Sequence, residues 1–178
     1  PLEMSLKGSV VLNIGKSSAG DVFSKRLKRY LSIDCIQANP DSIAKIRKRL
    51  SAYDRVIVAI HTEKYAPYQS LLNEIAIKKP LIYTYFTPLR QMYKKGNSWR
   101  KAAAVVLGHA GDAAVQEFVA DVLVGKEIAK GRVSVEVENY LRPGDGVNLS
   151  KKPETKIYRP EDHGMNATVL SKIDEIAL

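Results

Sequence analysis

The side chains that could do chemistry lie directly after short apolar runs of the chain. His61 and Thr62 follow the run RVIVAI, and His109 and Asp112 follow the run AAAVVLG. An imidazole, a hydroxyl and a carboxylate can exchange protons with a ligand or hold it by hydrogen bonds. If these runs are parallel strands, their carboxyl ends meet at one edge of a sheet, where such sheets bind ligands. The sequence therefore predicts a ligand-facing rim that contains His61, Thr62, His109 and Asp112.

The three histidines do not have the spacing of a metal site. His61 and His109 follow separate apolar runs, and His163 lies far along the chain. Zinc sites combine histidine and cysteine ligands at short, regular intervals or from facing elements. We therefore expect neither a metal ion nor another cofactor.

Two other motifs resemble functional signatures but lack essential parts. The segment GKSSAG at 15–20 follows the first apolar run, but a phosphate loop needs its glycines before the Lys-Ser pair. Ser42 and Lys45 have the Ser-x-x-Lys spacing of a serine nucleophile, but the chain has no Lys-Thr-Gly partner. We interpret the first motif as an ordinary loop before a helix, and Ser42 as a helix-capping residue.

Apolar runs alternate with amphipathic helical patterns along most of the chain. Strands are predicted at Ser9–Ile14, Ile33–Gln37, Arg55–Ile60, Pro80–Thr84 and Ala102–Leu107. Helices are predicted to begin near Ala19, Pro40, Pro88 and Asp112, and a helix of about a dozen residues is predicted to end at Lys79. The alternating segment VSVEV at 133–137 predicts a final antiparallel edge strand. The fold class that follows is α/β, a three-layer α/β/α sandwich whose doubly wound, mostly parallel sheet has about six strands.

Length and composition are those of a globular protein. The chain has 178 residues, 45% of them hydrophobic, which suits one domain with an appendage. No apolar stretch reaches the length of a membrane span. Cys35 is the one cysteine, so it makes no internal disulfide, and its apolar setting predicts a buried, small hydrophobic side chain.

The formal net charge of +9 comes from 28 basic and 19 acidic residues. Much of the excess lies in two predicted helices, in Lys25, Arg26, Lys28, Arg29, Lys45, Arg47, Lys48 and Arg49. Clustered cations could bind nucleic acid by releasing counterions from phosphate. Because no aromatic residues interleave with them and no recognition motif is present, we interpret them as solvated helix faces and expect no nucleic-acid partner.

Three segments near the end of the α/β region occur in a characteristic order: AAA at 102–104, VADVLVGK at 119–126 and KGRVSV at 130–135. Their order and spacing resemble the end of the C-terminal domain of glycoside hydrolase family 3. Members typically close that domain with a helix ending in Leu-x-Gly-Lys, a short loop and Gly-Arg-Leu-Pro-Val. Ala129 and Ser134 depart from this pattern, since proline is usual at both positions. A looser resemblance of strands and helices covers residues 5–147.

The rest of the chain has a different character. Residues 141–157 carry turn residues and charge, which predicts an extended linker. Residues 158–178 resemble the opening segment and first helix of serine β-lactamase-like domains, with Pro-Glu, Gly-Met and a Leu-x-x-Ile-Asp helix. The resemblances therefore imply a family 3 C-terminal-like domain at 1–140, a linker at 141–157 and the beginning of a β-lactamase-like domain at 158–178.

The resemblance implies a non-catalytic accessory domain of a β-glycoside hydrolase. Its partners would be an upstream catalytic barrel and a downstream β-lactamase-like domain of the same parent, with carbohydrate as the parent's substrate. The parent would hydrolyse β-glycosidic bonds. It would be a bacterial protein that is exported to the periplasm or the cell surface. An independent small-molecule or carbohydrate-binding domain, using the crevice at the strand ends, is the alternative.

Glycoside hydrolysis needs two carboxyl groups about 5–10 Å apart. In the family the nucleophile is an aspartate of the barrel, which lies outside this chain. Some branches place the acid/base glutamate in the C-terminal domain, and Glu63 is then the candidate, with Glu74 second because it lies within a helix. The N-acetylglucosaminidase-like branch keeps its acid/base in the barrel, and the Lys-Gly-Arg ending here is more similar to that branch. We therefore expect no catalytic residue in this chain and no activity from the chain alone.

Overall fold

The computed structural model describes residues 8–89, 98–137, 140–147 and 166. Within them, the strands are β1 Ser9–Ile14, β2 Asp34–Gln37, β3 Arg55–Ile60, β4 Leu81–Tyr85 and β5 Ala104–Leu107. The α-helices are α1 Asp21–Lys28, α2 Ile43–Leu50, α3 Gln69–Lys78 and α4 Ala113–Leu123. Short 3-10 turns occupy Pro40–Ser42, Ala66–Tyr68 and Ser98–Lys101. The expected α/β fold is confirmed.

The strands form one parallel sheet in the order β2-β1-β3-β4-β5. β1 and β3 lie side by side, paired from Ser9–Arg55 to Ile14–Ile60. Their apolar sequences suit this place, because strands in the middle of a parallel sheet are covered on both faces. The chain leaves β1 towards β2 and then returns to the other side of β1 to form β3. The topological switch point, outside whose carboxyl ends ligands bind, therefore lies between β1 and β3.

Helices cover both faces of the sheet. On one face, α2, α3 and the Ser98–Lys101 turn bury Ile46, Leu50, Leu71, Leu72 and Trp99 against the sheet. On the other face, α1 and α4 bury Phe23, Leu27, Val119 and Leu123 against Val11, Ile57 and Phe86. The result is a three-layer arrangement whose helix N-termini after β1 and β5 point to the carboxyl edge.

α1 and α4 are joined by polar contacts as well as by apolar packing. The Arg26 guanidinium donates to both carboxylate oxygens of Asp121, at 2.8 and 2.7 Å. This contact is the main cause that lowers the pKa of Asp121. α4 ends at Leu123 and is followed by Gly125, whose φ of 76° favours glycine, and Lys126 N then donates to the Asp121 carbonyl at 2.8 Å. The segment VADVLVGK thus fixes the end of α4 and attaches it to α1.

The second helix begins differently from the prediction. Ser42 was expected to cap it, but the Ser42 side chain makes no capping hydrogen bond. Instead Asn39 accepts a hydrogen bond from Asp41 N at 3.0 Å, at the start of the Pro40–Ser42 turn. The proline therefore starts a 3-10 turn that leads into α2.

Two strand predictions at the far side of the sheet are corrected. A further, antiparallel strand was expected at the edge of the sheet, but β5 is the edge strand of the described sheet and is partly exposed. The segment at 133–137 does not join that sheet; its backbone bonds to residues 141–145 instead, with an antiparallel bridge between Val137 and Leu141. Val133 and Val137 are buried, whereas Val135 is 46% exposed. The three valines therefore do not share one buried face, and the alternation of apolar and polar residues did not predict how this segment packs.

The beginning of the predicted linker contacts the domain. Leu141 packs against the core cluster beneath α2 and α3. Residues 148–165 and 167–178, which contain the rest of the linker and most of the β-lactamase-like segment, lie outside the described residues, as does most of the helix predicted from Pro88. None of the helices in the described ranges is long and apolar enough to cross a membrane.

Candidate ligand-binding rim

The rim is formed by the residues that follow three neighbouring strands. His61 follows β3, Phe86 and Thr87 follow β4, and His109 lies beyond the end of β5. Backbone hydrogen bonds continue past the strand ends, from His61 N to Ile14 O at 2.8 Å and from Phe86 N to Ile60 O at 2.9 Å. The residues predicted from the sequence therefore lie at one edge of the sheet, although β4 separates the two histidines.

His61 has an unusual environment for a polar side chain. Its ring stacks on Phe86, with centroids 4.4 Å apart and planes 4° apart. Both ring nitrogens are buried and have no hydrogen-bond partner. Burial lowers the pKa of His61 from 6.5 to about 4. The imidazole is therefore neutral at neutral pH, with one nitrogen able to donate and the other to accept.

The other predicted residues of the loop after β3 either form local hydrogen bonds or are exposed. Thr62 Oγ1 accepts a hydrogen bond from Lys64 N at 3.1 Å and closes a turn. Glu63 is exposed at the carboxyl edge. Glu74 lies on α3, where ion pairs with Arg47 and Lys78 hold its carboxylate and lower its pKa. In the hydrogen bonds and ion pairs of the described residues, neither Glu63 nor Glu74 contacts a second carboxylate.

The predicted residues after β5 are exposed. Asp112 caps α4, as expected, because its Oδ1 accepts from Val115 N at 3.1 Å. His109 lies in the preceding loop with a φ of 64°. In the ranges that the structure covers, no group of three or more His, Cys, Asp or Glu side chains could hold a metal ion. The rim thus offers polar contacts, but Asp112 is already used as a cap.

The structure adds Asn13 and Thr87, which were not among the four residues predicted to form the rim. Asn13 Oδ1 and Thr87 Oγ1 are buried without a partner, like the nitrogens of His61. The remaining unpaired buried atoms of the described residues, on Ser9 and Arg55, belong to the opposite ends of β1 and β3. Since buried polar atoms are nearly always hydrogen-bonded, three such residues at the carboxyl ends of β1, β3 and β4 mark a place for water or ligand. The signal in the sequence was a polar residue within the otherwise apolar end of the run SVVLNI.

Part of the basic charge is engaged inside the fold. Arg26 pairs with Asp121, and Arg47 pairs with Glu74 at 2.8 Å. Two of the eight clustered basic side chains are therefore already paired with carboxylates and are less available to an external polyanion. The absence of a nucleic-acid partner stays a prediction.

Fold and rim together define a parallel α/β protein with a polar carboxyl edge. No family model matches the chain, and no curated protein matches it. Among solved structures the chain is similar to a type II dehydroquinase from Propionibacterium acnes, with 9% sequence identity and a TM-score of 0.42. That match covers 66% of this chain and 98% of the dehydroquinase. A likeness of this size carries no argument about function.

The partly buried imidazole of His61 predicts a pH-dependent stability. Below about pH 6.5 the unfolded chain protonates His61, whereas the folded chain does so only near its pKa of about 4. The free energy of unfolding should therefore fall as the pH drops from about 7 to 4, by about 1–2 kcal/mol for this partly exposed ring. Urea unfolding across this range measures the slope, which His61→Leu should reduce. His109→Leu is the control, and identical pH profiles for the wild type and His61→Leu would contradict the assignment.

Proposed function

We propose that this chain is the non-catalytic, C-terminal α/β domain of a family 3-type β-glycoside hydrolase. The observation that carries the proposal is the ordered segment VADVLVGK followed by KGRVSV. In the structure the first part forms the end of α4, with Gly125 in the left-handed conformation and Asp121 bound to Arg26. Asp121 and Gly125, two positions of the first segment, therefore have structural roles at the end of α4, which supports the proposal.

The rim supports an accessory role rather than catalysis. A glycosidase needs a pair of carboxyl groups across the bond that it cleaves. Glu63 is exposed, Glu74 is held by cations on α3, and Asp112 caps α4. A neutral His61 with unpaired nitrogens and Thr87 with an unpaired hydroxyl suit hydrogen bonds to sugar hydroxyls or to the loops of a partner domain.

In this proposal the parent hydrolyses β-glycosidic bonds with a barrel domain upstream of this segment, and a β-lactamase-like domain follows. The Lys-Gly-Arg ending favours the N-acetylglucosaminidase-like branch, and a bacterial parent would be exported to the periplasm or the cell surface. The coding sequence on both sides tests the architecture. We expect a barrel with a nucleophilic aspartate directly upstream; an unrelated domain in that place would overturn the proposal.

The chain alone should not hydrolyse glycosides. Without the nucleophile, the remaining groups lose most of the rate enhancement. Release of 4-nitrophenol from 4-nitrophenyl β-glucoside and β-N-acetylglucosaminide should stay at the level of buffer, for the wild type and for Glu63→Gln alike. Turnover that tracks the purified protein and disappears in Glu63→Gln would contradict the accessory role and make Glu63 catalytic.

An independent small-molecule or carbohydrate-binding domain is the second candidate. It is favoured by the unpaired buried atoms of Asn13, His61 and Thr87 next to the switch point between β1 and β3. The flanking sequence separates the two proposals, because a chain without a neighbouring barrel would have to use this edge for its own ligand.

A further inference from the structure

The sheet ends on one side at β5, and the outer edge of this strand is open. β5 pairs with β4 on its inner side, and no other strand of the described residues pairs with it. Just before β5, Ala103 N donates to the Leu81 carbonyl of β4 at 2.8 Å. Because successive residues of a strand point their amides to opposite sides, the N–H groups of Ala104 and Val106 point away from β4. The outer edge therefore offers backbone donors and acceptors to another strand.

The side chains of β5 are apolar on both faces of the sheet and are only partly covered. Val105 and Leu107 pack against the cluster beneath α2 and α3, whereas Val106 packs against the cluster beneath α1 and α4. All three are half-buried, and Ala104 is exposed. A strand added beside β5 would therefore bury more apolar surface on both faces of the sheet.

The two edges of the described sheet differ in their protection. Edge strands usually carry charges, prolines or bulges that prevent pairing with another chain. At the opposite edge, β2 begins at the charged Asp34 and ends at the polar Gln37, and both side chains are exposed. The run AAAVVLG at 102–108 contains neither a charge nor a proline. Of the two edges, the one at β5 is therefore suited to pairing.

The charges at the two ends of β5 favour a second copy of this chain as the partner. Arg100 and Lys101 are exposed before the strand, and Asp112 is exposed after it. A two-fold axis at the centre of β5 places the cationic end of each copy beside the acidic end of the other. Parallel pairing would instead bring like charges together. The edge is thus complementary to itself in the antiparallel arrangement of a symmetric dimer.

We propose that two copies of this chain associate through their β5 edges, so that their sheets join into one continuous sheet. In the register that uses every outward amide, Val105 lies opposite the partner's Val105. Ala104 of each copy then exchanges backbone hydrogen bonds with the partner's Val106. This inference rests on β5 and its flanking charges, and it is independent of the glycosidase proposal.

Sedimentation velocity of the full chain tests the association. Because the contact is small, we expect a weak dimer with a Kd of about 10–100 μM. The sedimentation coefficient should therefore rise from the monomer value towards the dimer value over roughly 1–300 μM. Amide hydrogen exchange, followed by NMR at both ends of this range, gives the position of the contact. Exchange at Ala104 and Val106 should slow at the high concentration, because these amides become hydrogen-bonded only in the dimer.

Two substitutions at the outer edge should weaken the dimer and leave the monomer folded. Ala104→Lys should raise the Kd by about tenfold or more, because a lysine on an edge opposes pairing. The side chain of Ala104 is exposed, so folding is retained, and the uncharged Ala104→Val is the matched control that should keep the dimer. Val106→Pro removes an outward amide, which an edge strand tolerates, and should also abolish the association. Circular dichroism verifies the fold of each variant.

Asp112→Asn tests the contribution of charge separately. Asparagine caps helices as well as aspartate does, so the start of α4 is retained while the negative charge is lost. The Kd should rise about threefold, as expected for exposed ion pairs.

Three outcomes would overturn the proposal. One is a chain that remains monomeric over the whole concentration range. Another is a dimer that Ala104→Lys and Val106→Pro leave unchanged, which would place the contact elsewhere on the chain. The third is exchange at Ala104 and Val106 that does not depend on concentration. None of these results bears on whether a barrel lies upstream.

Discussion

Replacement of Phe86 by alanine is expected to lower the free energy of unfolding by about 3–5 kcal/mol. Phe86 is 3% exposed and lies beneath the carboxyl edge, where its ring meets Phe23 edge-on at 5.3 Å and stacks on His61 at 4.4 Å. The alanine leaves a cavity between the sheet and α1, and it removes two aromatic contacts at once. Urea denaturation at about pH 7 measures the loss, since His61 is neutral there in both states.

The same substitution should change the chemistry of the rim. The depressed pKa of His61 is caused by burial, and Phe86 covers one face of its ring. Water that enters the Phe86→Ala cavity should raise the pKa of His61 towards 6.5, which an NMR titration of the imidazole would show.

Phe86→Leu is the matched control for both effects. It keeps most of the apolar volume, so it should cost much less than the alanine and leave the pKa of His61 closer to about 4. A loss below about 1 kcal/mol in Phe86→Ala would mean that Phe86 does not support the rim as described.

The α/β class could be predicted from the sequence because the strand runs and helical patterns are long enough to be distinguished locally. β1 and β3, whose sequences are largely apolar, lie in the interior of the sheet. The edge position of β5 could not be predicted in this way, because the run AAAVVL is apolar whether or not a neighbour covers it. The packing of Val133 and Val137 depends on residues 141–145, which a local pattern does not contain.

The positions of the rim residues could be predicted from the ends of the predicted strands, but the environments of their side chains could not. His61 is partly buried because Phe86, which follows the neighbouring strand β4, stacks on its ring. Asn13 is buried because Ser24 and Gly20, at the start of α1, lie against its amide. These contacts join residues that are distant in sequence or separated by a loop. The spacing of residues in the sequence therefore predicts neither the burial nor the pKa of a rim side chain.

The glycines of GKSSAG illustrate the same limit. A glycine-rich loop after a strand suggests phosphate binding, and only the order of its residues argued against that function. The structure gives Gly20 a steric role instead, since a Cβ at this position would lie 2.4 Å from Asn13 Oδ1 and 2.6 Å from its Cγ. The close approach of α1 to β1 therefore requires a residue without a side chain.

Gly20→Ala should accordingly lower the free energy of unfolding by about 2–3 kcal/mol. The φ of Gly20 is −101°, which alanine adopts without strain, so the penalty is the overlap with Asn13. Asn13 cannot easily withdraw, because it belongs to the central strand β1 and its amide is hydrogen-bonded to Ser24. Thermal or urea unfolding of the variant measures the cost.

Gly131→Ala is the matched control, because no heavy atom lies within 4 Å of the Cβ position there. It should change stability by no more than about 0.5 kcal/mol. Asn13→Ala combined with Gly20→Ala completes a double-mutant cycle, in which removal of the amide should relieve most of the overlap. The double variant should then be more stable than the sum of the single effects predicts. Equal stability of Gly20→Ala and Gly131→Ala, or strict additivity in the cycle, would show that α1 can move away from β1 at little cost.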